Sequence, residues 1–364
     1  MKNKPAFFIV LTVAAFVLAA CSLSPSLTKS LPAATPPQTA PAGNTTGNHS
    51  PTAGPSVNSS PTAPVGMNPT LAIIPQGEVV FTLNKQLYRI SAQKNSQPEN
   101  ISTALDKLAP GADEWINISA DGRWLLISSE RFDPECKGWA CLAIVSADLT
   151  HTEVLKNGGA ALHAVFSAVG PTSVVYVASG GPHAQDLWII KRQSGGWSDP
   201  RLLTAASTYP NNIIPLLSAD EQKVLFTCSN DAYAASDSNV CEVGADGSGY
   251  RVVVNGGMHA ASNPTVNLRH AAYAADGSVV FEGDWLGEQV WRMAPGSAPA
   301  LINADLHNDN SPCALPGGWV ASLWLERPGG SSLHELKIMS PDGKDYWVLV
   351  QNQDISDIGI GCGK

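Results

Sequence analysis

After residue 70 the chain alternates between short apolar runs and clusters of Asp, Gly, Ser and Asn. In the stretch from Ile116 to Ser129, two runs of alternating and β-branched residues flank Asp121-Gly122. That dipeptide accepts the positive φ values of a tight turn, so the segment reads as strand, turn, strand. The pattern recurs. Ser119-Ala120-Asp121-Gly122 is followed by Ser167-Ala168-Val169-Gly170, Ser218-Ala219-Asp220-Glu221, Ala274-Ala275-Asp276-Gly277 and a degenerate Leu315-Pro316-Gly317-Gly318, at spacings of about 41 to 56 residues. Second strands follow from Trp124, Ser173, Lys223, Ser278 and Val320, and third strands further on, as in Asp186-Leu187-Trp188-Ile189-Ile190. A fourth strand closes several units, for example Arg251 to Val254 and Tyr346 to Val350. Four strands repeated at this period make a propeller blade.

The ends of the repeat region set the blade count. Glu78 to Thr82 looks like a second strand without a first, and Asp354 to Lys364 like a first strand with nothing after it. Joined, they complete a sixth blade and leave no bare sheet edge at the seam. The predicted fold is all-β: a six-bladed β-propeller with four-stranded blades over residues 71–364, its ring closed by the C-terminal strand. The Ser-Ala-Asp-Gly turns leading into apolar strands, with third strands such as Leu187-Trp188-Ile189-Ile190, resemble the TolB-like six-bladed propeller repeats. The usual Pro before Asp-Gly stands only at Ser340-Pro341-Asp342-Gly343, a different turn of its blade. That family holds both periplasmic proteins that bind partners through the propeller and propellers fused to peptidases. The resemblance therefore implies a fold more than a role.

Ahead of the repeats, Lys2 and Lys4 precede an apolar run from Ala6 to Ala20, the length of a signal-peptide core and short for a membrane-spanning helix. Residues 1–20 are read as a signal peptide. Its end, Leu18-Ala19-Ala20-Cys21, resembles the bacterial lipoprotein signal; an ordinary secretory signal with a chance Cys is the alternative. The resemblance implies a lipid-modified, palmitate-bearing Cys21 on the extracytoplasmic side of a bacterial membrane, in the periplasm or at the cell surface. Residues 21–70 are almost all Ser, Thr, Pro, Ala, Gly and Asn, a composition that cannot bury enough surface to offset its ordering entropy. They are read as a disordered tether, reaching about 40 Å as a random coil and up to ~150 Å as polyproline.

Composition agrees with many short strands: 32 Gly sit largely at turns, and 15% charged residues are too few for a coiled coil. The net charge is −9, and loss of Lys2 and Lys4 with the signal takes it to −11. An acidic surface argues against nucleic acid as a partner. Six cysteines remain after Cys21, an even number in an exported chain. Cys136 with Cys141 and Cys228 with Cys241 bracket loops between second and third strands. Cys313 and Cys362 are left for the seam, where the predicted register sets them two to three residues apart in height. A zinc site has no Cys-x-x-Cys or His spacing to support it.

The loops between second and third strands carry Glu130, Asp133, Glu135, Asp231, Asp237, Asp284, Glu288 and Glu326, with Phe132, Trp139, Tyr233 and Trp285. Such a face suits a basic peptide, a sugar or a cation. Residues just ahead of the first strands are expected at the channel mouth: Asp113, Glu114, His163, Asn211, Asn212, His270, Asn308, Asp309 and Asp354. No cofactor is predicted, although a divalent cation in the channel is compatible with that set. No catalytic residues are assigned: Gly-x-Ser-x-Gly is absent, His334-Glu335 lacks the second His of a zinc-protease helix, and Gly361-Cys362-Gly363-Lys364 lacks the upstream Gly of a phosphate loop. The expected function is a lipid-anchored binding or scaffold module of the cell envelope. Its partners would be the membrane, through the lipid, and an envelope protein, peptide or glycan. A propeller enzyme of glycan-lyase or lactonase type with a channel-mouth metal, and a structural surface protein, are the alternatives.

Overall fold

The computed structural model describes residues 74–232, 237–259, 266–302, 308–325, 333–356 and 359–364. The readings on the signal, Cys21 and tether, and those on Tyr233 and Glu326, lie outside the described residues. The unit Pro69–Lys364 holds six four-stranded antiparallel sheets. Blade 1 combines Gly361–Gly363, Glu78–Leu83, Gln86–Ser91 and Glu99–Asn100; blade 2 runs Asp113–Ile118, Trp124–Ser129, Cys141–Ser146 and Thr152–Val154. Blade 3 is Ser167–Val169, Ser173–Ala178 and Asp186–Gln193, with Gly196–Trp197 and Arg201–Leu202 sharing its outer edge. Blade 4 is Asn211–Leu217, Lys223–Ser229, Ser238–Gly244 and Arg251–Val254. Blade 5 is Leu268–Tyr273, Val279–Gly283, Gln289–Met293 and Ala300–Leu301, and blade 6 is Asn308–Ala314, Val320–Leu325, His334–Met339 and Tyr346–Gln353. Among the described residues the one α-helix is a single turn, Ser102–Leu105.

Two of the repeated inner turns share one local cause. Ser119 Oγ donates to Asp121 Oδ1 at 2.6 Å and accepts from the Trp124 amide at 3.0 Å. Ser218, Asp220 and Lys223 repeat this at 2.6 and 3.0 Å. The outer turns Ser146-Asp148-His151 and Ser340-Asp342-Asp345 use the same device. Ser-x-Asp is thus a self-contained hydrogen-bonding unit that reverses the chain wherever it falls. A chemical site is not needed to explain its repetition.

Packing then follows from the pleat. Second strands are buried on both faces, and successive side chains enter different cores. Leu125 and Ile127 pack with Val80 and Leu87 of blade 1, whereas Leu126 packs with Val174 and Tyr176 of blade 3. Val224 and Phe226 face blade 3, and Leu225 faces blade 5. Six such cores, one per pair of neighbouring blades, close the ring.

At the seam Gly361–Gly363 pairs with Glu78–Val80, and Ile355 bridges Leu83. Disulfides join Cys136–Cys141, Cys228–Cys241 and Cys313–Cys362. Cys313 and Cys362 lie level, with Cα atoms 5.6 Å apart, not offset as the sequence register implies. The reason is a bulge: the register of blade 6's inner strand shifts between Asn310 and Cys313, where Ser311 takes φ +47°. Ile214 and His270 occupy equivalent left-handed bulges in blades 4 and 5, at φ +52° and +49°.

Candidate functional site

Register defines the two faces. Asp113 pairs with Ser129 and Asn308 with Leu325, so the start of each inner strand lies beside the loop between second and third strands. We call this the upper face. The Ser-x-Asp inner turns, Gly77 and Lys364 lie on the lower face, where a Cβ on Gly122 would collide with the Lys364 carbonyl.

Several residues expected at the channel mouth are inside the blades instead. Asp113 is fully buried: Arg131 Nε and Nη2 each reach its carboxylate at 2.9 Å, and Ser102 and Ser129 donate to it at 2.5 and 2.6 Å. Asp309 is equally buried, 3.1 Å from the ammonium of buried Lys337, with Ser322 donating to its other oxygen. Asn212 donates to the carbonyls of Gln185 and Tyr209 and accepts from Ser207, while buried Asn211 donates to the Ser229 carbonyl. A polar side chain at this register enters the space between sheets, so it is desolvated and must be paired. The partners come from second and third strands, a helical turn and loops, a dependence that inner-strand residues alone do not disclose. Asn308 stays half-buried on the upper rim.

His270 is the candidate that reaches the channel. Its Nδ1 lies 2.9 Å from Glu282 Oε2, Arg269 pairs with Oε1 at 2.7 Å, and the Ser311 amide donates to Oε2 at 3.1 Å. Burial alone would raise the Glu282 carboxyl, but the His270 hydrogen bond, the His270 and Arg269 charges and the Ser311 amide hold it at about 2. The channel is lined by the inner strands of all six blades, including Ile116, Phe166, Ile214, Ala271, Pro312 and Ile360. Its free space is only about 50 Å³ in the upper half and 70 Å³ below. That admits a few waters at most and no sugar or peptide. Among the described residues no group of three or more metal-ligating side chains occurs.

Larger spaces lie outside the channel: one of about 590 Å³ on the lower face, beside Ser218, Asp220, Tyr273 and Lys364, and two on the upper surface. A groove of about 620 Å³ runs between blades 2 and 3, lined by Glu114, Trp139, His163, Val165, Phe166 and Gln185 among others. A second depression of about 790 Å³ holds Lys85, Trp115, His334 and Asp354 and shares Glu114 and Val165 with the first. Three expected residues, Glu114, His163 and Asp354, therefore lie on one continuous surface. Trp139 is 78% exposed at its rim, carried on the loop that Cys136–Cys141 closes. The other two described loop aromatics serve packing: Trp285 is buried, donating to the Gly256 carbonyl and meeting His259 and Trp291, and Phe132 packs on the core between blades 1 and 2. Asp133 is paired with Lys156 at 2.6 Å.

The groove exists because blade 3's inner strand is short. Only Ser167–Val169 pairs with Ser173–Ala178, and the last bond between the two segments is Val177 N–H to the Phe166 carbonyl. Above it the chain is drawn to blade 2: Leu162 accepts from Leu142 and donates to Leu155, and His163 Nδ1 lies 3.0 Å from the Ala140 carbonyl. Val165 and Phe166, which in sequence read as a continuing strand, become the groove floor. No pattern in the sequence marks that departure.

No family model matches the chain, and no curated protein matches it in sequence. Solved structures do match in fold. TolB from Acinetobacter baumannii superposes with a TM-score of 0.58 at 14% identity, over 81% of this chain and 69% of that one. A putative TolB from Agrobacterium tumefaciens gives 0.52 at 16% identity, over 77% and 91%. A chain of a nidogen/laminin complex gives 0.52 at 8% identity, over 78% and 97%. These are likenesses of architecture: the chain is a six-bladed β-propeller with TolB proteins among its structural neighbours.

Proposed function

We propose that this chain is a lipid-anchored, extracytoplasmic member of the TolB-like repeat propellers that binds a protein or glycan of the cell envelope through its upper face. The observation that carries the reading is the continuous upper surface around Glu114 and Val165, rimmed by an exposed Trp139, above a channel too narrow for an organic substrate. Three disulfides in one domain support an oxidising compartment. The propeller's first described residues, by Gly77, lie on the lower face beside Gly363 and Pro316. Residues 1–20 act as the signal, Cys21 carries the lipid and residues 21–70 form the tether.

Affinity capture of envelope proteins and glycans on the full chain tests the binding role, with wild type compared against Trp139→Ala. Specific capture that depends on Trp139 is expected. Turnover of a substrate that is abolished by His270→Ala would overturn the reading in favour of an enzyme. Incorporation of a palmitate analogue, lost in Cys21→Ser, is the expected result for the anchor.

A further inference from the structure

The geometry points to a specific occupant for the groove between blades 2 and 3: an extended peptide segment of a partner protein that presents an apolar side chain beside a Lys or Arg. This deepens the binding reading above and rests on it. Blades 2, 4, 5 and 6 pair their inner and second strands up to the upper face: Asp113 with Ser129, Asn211 with Ser229, Leu268 with Gly283 and Asn308 with Leu325. In blade 3 pairing stops at Val177, and among the described residues no backbone hydrogen bond joins 163–165 to 178–180. Beyond Val177 the inner edge of blade 3 thus lacks an inner-strand partner, which leaves room for a segment laid where blades 2, 4, 5 and 6 place theirs.

The chemistry of the walls selects the segment. The side chains of the floor, Ala164, Val165, Phe166, Val177 and Ala178, are all carbon, which suits an aliphatic or aromatic side chain better than the hydroxyl-rich edges of a sugar. Glu114 is the one lining residue with a carboxylate, and no Lys or Arg lines the groove, so a charged side chain entering it is matched only if it is basic. Trp139 stands exposed at the rim, where its ring can stack on that ammonium or guanidinium. The Cys136–Cys141 bridge holds the Trp139 loop in place, which lowers the ordering cost of binding.

The test is selection of a displayed library of short linear peptides on the detergent-solubilised full chain, with titration of enriched peptides by fluorescence polarisation. Maltohexaose and chitohexaose are titrated in parallel. Enriched peptides are expected to share an apolar residue next to Lys or Arg. Trp139→Ala should weaken them about tenfold or more. Glu114→Gln should weaken them less and flatten the salt dependence. Both side chains sit at the surface, and an unchanged melting temperature shows that the variants fold. Enrichment of acidic peptides, absence of a consensus, or Trp139-dependent binding of the oligosaccharides with no peptide binding would overturn the inference. Peptide binding unaffected by both variants would also overturn it while leaving the binding module intact. That module fails separately if the affinity capture yields nothing that depends on the upper face.

Discussion

Removal of the seam disulfide by the double change Cys313→Ser and Cys362→Ser tests how the ring is closed. The bridge spans 49 residues, from the inner strand of blade 6 to that of blade 1, and so includes nearly all of blade 6. On the chain-entropy model, a loop of that length stabilises the fold by about 4 kcal/mol through restriction of the unfolded chain. What remains at the seam is three residue pairs, Glu78–Val80 with Gly361–Gly363, and the side chains of Ile355 and Ile360 in the core between blades 1 and 6. Each isoleucine contributes about 2 kcal/mol of apolar burial, enough to keep the strand docked in most molecules. The expected outcome is a folded protein whose urea midpoint is reduced in proportion to about 4 kcal/mol, with the most protected core amides exchanging faster to match and the amides of 78–80 and 359–363 gaining the most. Removal of Cys136–Cys141, whose loop spans only 5 residues, should cost less on the same model. An unchanged midpoint, or exchange at 78–80 and 359–363 that quickens no more than in the rest of the ring, would refute the idea that this bridge latches the seam.

Three further outcomes follow from particular contacts. Glu282 is held at about 2 in the fold against an ordinary value near 4.5, so its contribution is present above about pH 4.5 and is lost as pH falls toward 2. The shift corresponds to about 3 kcal/mol, and Glu282→Gln should remove that part of the acid limb in pH-dependent denaturation. Gly122→Ala, at φ +73° and against the Lys364 carbonyl, should cost about 1 kcal/mol from backbone strain and more from displacement of the C-terminus, read as a lowered melting temperature. Arg131→Met leaves the Asp113 carboxylate buried without its bidentate partner and should cost about 3 to 5 kcal/mol, whereas Arg131→Met combined with Asp113→Leu should recover much of it; losses of the two single variants that simply add in the double variant would show that the pair is not coupled.

The turns and strands were legible in the chain because their causes are local. Ser-x-Asp closes a turn with its own atoms, and a second strand buried on both faces reads as an apolar run wherever it occurs. The seam was legible from its two half-blades. Less of the candidate site could be read. Asp113 and Asp309 have the sequence character of site residues, yet Arg131 and Lys337 claim them, because partnership in a sheet depends on strand register and not on separation along the chain. The equal height of Cys313 and Cys362 depends on one residue, Ser311, in a left-handed bulge. No residue-type preference announces that bulge, since Ile214 and His270 adopt it too.

The sequence by itself determined the number of blades, the order of strands within them and the acidic, disulfide-bearing character of the chain. It could do so because hydrogen bonding in turns and the two-residue pleat are written in neighbouring positions. Only the tertiary structure decided where open space lies. The channel is a packed throat, because inner strands from six blades, three of them carrying left-handed bulges, converge on it. The groove beside Trp139 opens because a few backbone hydrogen bonds hold residues 162–163 to blade 2 instead of blade 3. Bonds of that kind carry no residue signature, since every peptide unit can make them.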